Sequence, residues 1–278
     1  TVRNHPVYKQ NYGIKRAAIR PLLDVWEDGA ILSTFFYGGM MERYSMITEK
    51  NPREILLLRG SGCKWRRCSF CDYHLDFSKD EEANFRLNEA ELAKVSGRFG
   101  ALEVINSGSF CDLDEKTVNR ILSVCGEKKI RRIHIECHWR DRNTLAAIRQ
   151  RFREEGIEVI VKMGVETFDA AFREEVLRKG MEYALPEEIA RYAQEVCLLF
   201  GISGQTADSM KKDVETGLRY FNRVCINLMT ENTTLVSPDP EVIRIFLRDV
   251  YPVYKDEERV DILLENTDFG VGGNGTNE

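Results

Sequence analysis

Seven apolar, β-branched runs recur along the chain at intervals of roughly thirty residues, and nearly every one ends in a polar or glycine-rich cluster. The runs are "EILLLRG" (54–60), "LEVINSG" (102–108), "RRIHIEC" (131–137), "IEVIVKMGVE" (157–166), "EVCLLFGISG" (195–204), "RVCINLMT" (223–230) and "RVDILLEN" (259–266). Between them lie segments with 3.6-residue apolar spacing and helix-start signals, at 114–126, 141–156, 185–195, 206–221 and 239–252. Pro186 and Pro240 fall near two of those starts, where a missing N–H costs nothing. Strand-then-helix repetition at this period implies right-handed βαβ units and a parallel sheet. The expected fold is α/β, a partial (β/α)6-type TIM barrel over residues 51–278 with a short N-terminal extension over 1–50. In such a barrel the chemistry sits at the C-terminal strand ends. Here those ends read "RGSGC", "NSGS", "ECH", "GVET", "GISGQT", "MTEN" and "ENTD".

The extension holds one amphipathic helix pattern, "GIKRAAIRPLLDVWEDG", and an aromatic-rich strand or loop, "AILSTFFYGGMMERYS". It packs on the barrel either as an arm closing one end or as a wall of the substrate pocket. With 278 residues, 43% of them hydrophobic, the chain buries a core without disulfide staples. No apolar run reaches the ~18 residues of a membrane span, and "TVRNHPVYKQ" lacks a secretory layout, so no membrane partner and a cytoplasmic location are expected. The formal charge of −5 argues against a long nucleic-acid track and so against direct tRNA binding; "KWRR" (64–67) and "KKIRR" (128–132) read as solvated basic clusters.

Of eight cysteines, Cys125, Cys137, Cys197 and Cys225 sit in apolar runs and read as small buried hydrophobes, while Cys111 is ambiguous. The remaining three, Cys63, Cys68 and Cys71, are spaced C-x4-C-x2-C just after the first run. Three thiolates so close suit a [4Fe–4S] cluster with one iron left open. Structural zinc, with His74 as a fourth ligand, is the alternative.

This trio, with Phe70 before and Tyr73 after its last cysteine, resembles the radical S-adenosylmethionine (SAM) superfamily, whose usual spacing is one residue shorter in the first gap. "INSGSF" (105–110), "MGVETFDAAFREEVLRKGM" (163–181), "FGISGQT" (200–206) and "INLMTENTTL" (226–235) are similar to superfamily segments in the same order, with Ser203 where proline is usual. The resemblance implies that Cys63, Cys68 and Cys71 ligate the cluster and that Phe70 and Tyr73 contact adenine. It further implies that Ser107, Gly108 and Ser109 hold the methionine end of SAM. Glu136, His138, Glu166, Gly204 and Gln205 are further SAM-contact candidates, and His134 reads as structural. Substrate contacts are expected from Asn227, Thr230, Glu231, Asn232, Glu265, Asn266 and Asp268, with Lys162, Arg140 or Arg142 meeting a phosphate. "NSGSF", "GVET" and "ENTTL" look most like the branch whose members handle 7-deazapurines. That likeness implies a small nucleoside or nucleotide substrate, queuosine or its 5′-phosphate, and an external electron donor. The implied reaction abstracts a ribose hydrogen and breaks the glycosidic C–N bond, releasing queuine. The resemblance leaves two other classes open: a tRNA modifier acting with a partner, and a non-catalytic zinc module.

Overall fold

The computed structural model describes residues 42–264. Eight strands form one curled sheet in chain order: β1 (Tyr44–Ile47), β2 (Arg53–Leu58), β3 (Ala101–Asn106), β4 (Arg132–Glu136), β5 (Glu158–Glu166), β6 (Glu195–Phe200), β7 (Arg223–Leu228) and β8 (Val260–Leu263). β1 pairs antiparallel with β2, and every later neighbour pairs parallel. All seven predicted runs supply a strand, β2 to β8, and the partial barrel is the observed architecture. β1 comes from the tail of the segment read as an extension. Residues 1–41 and 265–278, and with them Glu265, Asn266 and Asp268, lie outside the described residues.

Helices α1 (Glu81–Leu92), α2 (Glu115–Glu127), α3 (Leu145–Glu154), α4 (Pro186–Ile189), α5 (Ala207–Tyr220) and α6 (Pro240–Ile245) lie between the strands or after the seventh. α6 runs on through a π turn, Phe246–Val250, into Tyr251–Tyr254. Among the described residues no helix is long and apolar enough to cross a membrane.

Two of these helices depart from the sequence pattern. α1 has no apolar stripe because its buried face is Asn84, Asn88 and Leu92. The asparagines are there to hold the chain leaving β2. Asn88 Oδ1 accepts from the Arg59 N–H at 2.8 Å, Asn88 Nδ2 donates to the Arg59 carbonyl at 2.9 Å, and Asn84 Oδ1 accepts from Arg59 Nε at 2.8 Å. The helix expected over 185–195 shortens to α4. Gln194 is drawn into the sheet edge instead, its N–H donating to the Val161 carbonyl at 2.9 Å and its Oε1 accepting from the Val161 N–H at 3.1 Å.

The parallel strands are buried on both faces, but the faces differ chemically. Leu56, Leu58, Val104, Ile133, Ile135, Val161, Met163, Leu198, Phe200, Val224 and Ile226 pack outward in one continuous core with the helices. The alternate residues face the barrel interior, as the two-residue side-chain period requires. Toward the N-terminal strand ends this inner face is ionic. Arg53 Nε donates to Glu103 Oε2 at 2.5 Å, Lys162 Nζ pairs with Glu103 Oε1, His134 Nδ1 lies 3.2 Å from Glu195 Oε2, and Arg223 pairs with Asp261 at 3.1 Å. Burial alone would raise the Glu103 carboxyl, but the Arg53 and Lys162 charges outweigh it and hold it far below the usual carboxylate range. His134 is structural, as read. Lys162 belongs to this floor and is 5% exposed, so the expectation that it meets a phosphate is corrected: its charge is spent on Glu103.

Removing one member of a buried ion set leaves the others uncompensated. Glu103→Gln is expected to lower unfolding free energy by about 3–5 kcal/mol. Glu158→Gln, which breaks the solvent-exposed Arg132–Glu158 pair, is expected to cost about 0–1 kcal/mol. Urea melts of the two variants check the contrast.

Candidate active site

The loop leaving β2 carries Cys63, Cys68 and Cys71, all half-buried and free. It has almost no regular structure beyond a 3-10 turn at Tyr73–Leu75, so its conformation is set by ties to four other segments. The clamp on Arg59 by Asn84 and Asn88 fixes its entry. Next, Ser61 N–H donates to the Asp112 carbonyl at 3.0 Å. Gly108 comes so close that a Cβ there would lie 2.9 Å from the Cys63 Cα, which is why the Ser-Gly-Ser turn needs glycine at its centre. Ser69 Oγ donates to the Val176 carbonyl at 2.6 Å, and Trp65 Nε1 donates to the Arg178 carbonyl at 2.8 Å. The loop after β7 latches the far side. Asn232 Nδ2 donates to the Phe70 carbonyl at 2.5 Å, and the Thr233 N–H and hydroxyl both reach Asp72 Oδ2 at 3.1 Å.

Opposite the cysteines, β5 ends in a bulge between Gly164 and Glu166, and Glu166 takes a left-handed φ of 68°. That turn brings the Glu166 carboxylate to 2.6 Å from Lys179 Nζ. A Cβ on Gly164 would meet Glu166 Oε1 at 2.7 Å and Lys179 Nζ at 2.9 Å, so the ion pair lies over a bare backbone. Lys179 is delivered by a segment that has its own frame. Buried Arg173 donates to the Thr167 and Ala184 carbonyls, and Glu174 accepts from the N–H groups of Gly180 and Met181. Burial would lower the Lys179 ammonium, but Glu166 first and Cys68 next outweigh it and hold it charged. Its Nζ also sits 5.5 Å from the Phe70 ring centre. Lys179 carries no assigned role in the sequence reading, although its "RKG" lies inside a matched segment.

Burial pushes the Cys68 thiol up to about 11 and the Cys71 thiol up to about 12, with Lys179 opposing in both cases. The thiols are thus protonated near neutral pH until a metal displaces the protons. The donor set suits an iron–sulfur cluster. It offers three thiols on one latched loop with a lysine ammonium beside them, which would favour a thiolate-bound, negatively charged group. Among the described residues no three His, Cys, Asp or Glu side chains converge tightly enough to share a single metal ion.

Several expected ligand contacts are committed to the protein itself. Ser107 Oγ donates to the Asp76 carbonyl at 2.7 Å, and Ser109 Oγ donates to Asp141 Oδ2 at 2.5 Å while accepting from the His138 N–H at 3.0 Å. His138 Nε2 lies 2.9 Å from the Lys179 carbonyl, so it carries the proton, and Nδ1 accepts from the Arg140 N–H at 3.2 Å. Burial lowers this imidazole to about 4, leaving it neutral. Gln205 closes its own turn, Oε1 accepting from the Ile202 N–H at 2.9 Å and Nε2 donating to the Leu199 carbonyl at 2.8 Å. Gly204 (φ 95°) sits in the same turn. Asn232 is spent on the latch, and Glu231 is half-buried beside it. Asn227 lies one residue before the end of β7, on the inner face, and Thr230 is half-buried just beyond the strand. Tyr73 stands at the mouth, 51% exposed. The Arg140 guanidinium stacks 4.8 Å from the Trp65 ring and Arg142 4.1 Å from Trp139. Asn106, unassigned in the sequence reading, donates to the Ser109 carbonyl, and its buried Oδ1 has no donor among the described residues.

Cys197 and Cys225 are register partners on the inner face. Cys225 is buried as expected, whereas Cys197 is only half-buried. Cys125 and Cys137 are buried as expected, with Cys111 half-buried beside Lys64.

Glu136 stands out electrostatically. It ends β4 on the inner face, half-buried, and burial pushes its carboxyl up to about 7, with Lys162 and Lys179 opposing and Glu103 and Glu166 reinforcing. Its folded pKa lies above the usual 4.5, so the native state binds more protons than the unfolded state between those values. This group therefore costs stability as pH rises through that window, and the full cost is present above about 7. Glu136→Gln is expected to be more stable than the wild type by about 1–2 kcal/mol at pH 8 and equal to it near pH 4.5, read from denaturant melts at both pH values.

No family model matches the chain, and no curated protein sequence matches it significantly. Among solved structures it matches a queuine lyase from Clostridium spiroforme bound to SAM and queuine, with a TM-score of 0.79 and 42% identity over 84% of this chain and 100% of that one. Streptococcus suis SuiB (TM-score 0.47, 15% identity) and anSMEcpe with bound AdoMet (TM-score 0.43, 12% identity) each match 75% of this chain and cover 49% and 64% of their own, too weakly to carry an argument. An identity of 42% over the whole of a solved relative, on a half-barrel whose cysteine loop is latched at the C-terminal strand ends, places this chain in the queuine lyase family of radical SAM enzymes.

Proposed function

We propose that the chain releases queuine from queuosine or queuosine 5′-phosphate, using SAM and a [4Fe–4S] cluster. The observation that carries this reading is the joint placement of the three-cysteine loop and the Glu166–Lys179 pair at the rim of a barrel interior, in a chain whose solved relative is bound to SAM and queuine.

Cys63, Cys68 and Cys71 would hold the cluster. When bound there, cluster and SAM would supply one-electron chemistry able to take a hydrogen from ribose. The chain's own residues bind, orient and exclude water. Glu166, if freed in part from Lys179, would accept from ribose hydroxyls, and Lys179 would face a carboxylate. The Ser107–Ser109 turn contributes backbone approach near Gly108 and a rigid frame, since both its hydroxyls are occupied. Gln205 and Asn232 act in the same way, holding the loops that line the mouth. Asn227, Thr230 and Glu231 stand on the β7 side, where a substrate would be met. Arg140 presents a charged, exposed guanidinium at the rim and is the better candidate for a 5′-phosphate, because Lys162 is occupied. Electrons come from an external donor.

The test is mass spectrometry of an anaerobic mixture of reconstituted protein, SAM, reductant and queuosine 5′-phosphate. Queuine and 5′-deoxyadenosine are expected together, and Cys68→Ala is expected to lose both by more than about 1,000-fold, since the whole barrier reduction depends on the cofactors. 5′-Deoxyadenosine without queuine would retain the radical chemistry and discard the substrate. Neither product, from a protein shown to hold iron and sulfide, would overturn the reading.

A further inference from the structure

Inside the barrel, acidic side chains come with partners. Glu103 is held by Arg53 and Lys162, Glu195 by His134, Asp261 by Arg223, and Glu166 by Lys179. Glu136 alone among these inner-face carboxylates has neither a hydrogen bond nor an ion pair among the described residues. It lies two residues beyond His134 on the same face of β4, one step above the ionic floor, and it feels both the floor (Lys162, Glu103) and the rim pair (Lys179, Glu166). A carboxylate in that position, with up to four lone-pair sites unused, is an acceptor waiting for donors.

The surroundings restrict which donors. Lys162 and Lys179 flank the site electrostatically, and both carry positive charge. They disfavour an ammonium or sulfonium ligand beside Glu136, which argues against its reading as a SAM contact. They do not disfavour a neutral N–H donor, and by favouring the ionised carboxylate they strengthen its hydrogen bonds. Two oxygens on one carboxylate match two adjacent N–H donors on one ring edge. On the β2–β3 side the inner face is apolar, with Ile55, Leu57 and Ile105 clustering together with Leu263. An apolar wall beside a fixed polar group suits a flat heterocycle.

We propose that Glu136 recognises the substrate's base, its carboxylate accepting from the ring N–H and the exocyclic 2-amino group of the 7-deazaguanine edge. This inference rests on the queuine lyase reading and names the residue that gives it base specificity.

The test is calorimetric titration of the reconstituted, SAM-bound protein with queuine and with the analogue lacking the 2-amino group, so that no turnover is needed. The wild type is expected to bind the analogue about 10–100-fold more weakly than queuine, the worth of a charge-assisted hydrogen bond. Glu136→Gln, at wild-type iron content and with an unimpaired melting temperature, is expected to lose about 10–100-fold for queuine and to bind the two ligands within about threefold of each other. A Glu136→Gln protein that binds queuine as the wild type does, or that weakens both ligands by one common factor, overturns the proposal while leaving the lyase reading intact. Wild-type protein that holds SAM but binds no queuine overturns both.

Discussion

A half-barrel must fill an interior that its own sheet does not fully close, and this chain fills the lower part with charge. The Arg53–Glu103–Lys162 set, with His134–Glu195 and Arg223–Asp261 beside it, occupies space that bulky aliphatic layers commonly fill in closed barrels. Such a layer adds little net stability over an apolar one, but each ion is stable only with its partners in place, so the pairs together fix the spacing of strands β2 to β8. Lys50 extends the same logic to the sheet ends. Its ammonium, on the turn between β1 and β2, donates to the carbonyls of Lys255, Glu257 and Val260 at 2.8, 3.0 and 2.8 Å, tying the first strands to the last. A polar floor also means that anything bound above it meets a defined field instead of a greasy surface.

Above the floor, the active loop is held by its neighbours, because it has little regular structure of its own. Asparagines on α1 grip its start, the Asp112 carbonyl and Gly108 press on its middle, and Asn232 and Thr233 close over its end. The Glu166–Lys179 pair needs a left-handed non-glycine residue and a bare Gly164 beneath it. Strain of that kind is stored where the surrounding structure over-determines it. Here the surrounding structure is the Arg173 and Glu174 frame, which leaves Lys179 one place to point. Loop, pair and floor together define a compartment with a thiol-lined roof and an ionic base, and Glu136 lies between them.

The strands were legible because both faces of a parallel strand are buried, so each run of apolar residues was long and ended abruptly in polar ones. The cysteine trio was legible because its spacing has few other uses. α1 was not, since its inward face is asparagine and its purpose is to bond a backbone, which no apolar period records. The ionic floor was hidden for a related reason: Arg53 and Glu103 are single charges inside apolar runs and are fifty residues apart. Ser109, His138, Gln205 and Asn232 show a different limit: their bonds to the protein's own loops are visible only in the structure. A polar residue at a strand end looks the same in sequence whether or not its own loop engages it. Glu136 carries the same ambiguity in sequence, and it is the absence of a partner among the described residues that distinguishes it.

The central claim is that Cys63, Cys68 and Cys71 form a three-thiolate site whose remaining iron is open to SAM. Electron paramagnetic resonance of the anaerobically reconstituted and reduced protein, recorded before and after adding SAM, tests it most directly. The account predicts a reduced [4Fe–4S] signal that changes on SAM addition and is absent from Cys71→Ala. A protein that takes up zinc without iron, or a cluster signal indifferent to SAM, would contradict it.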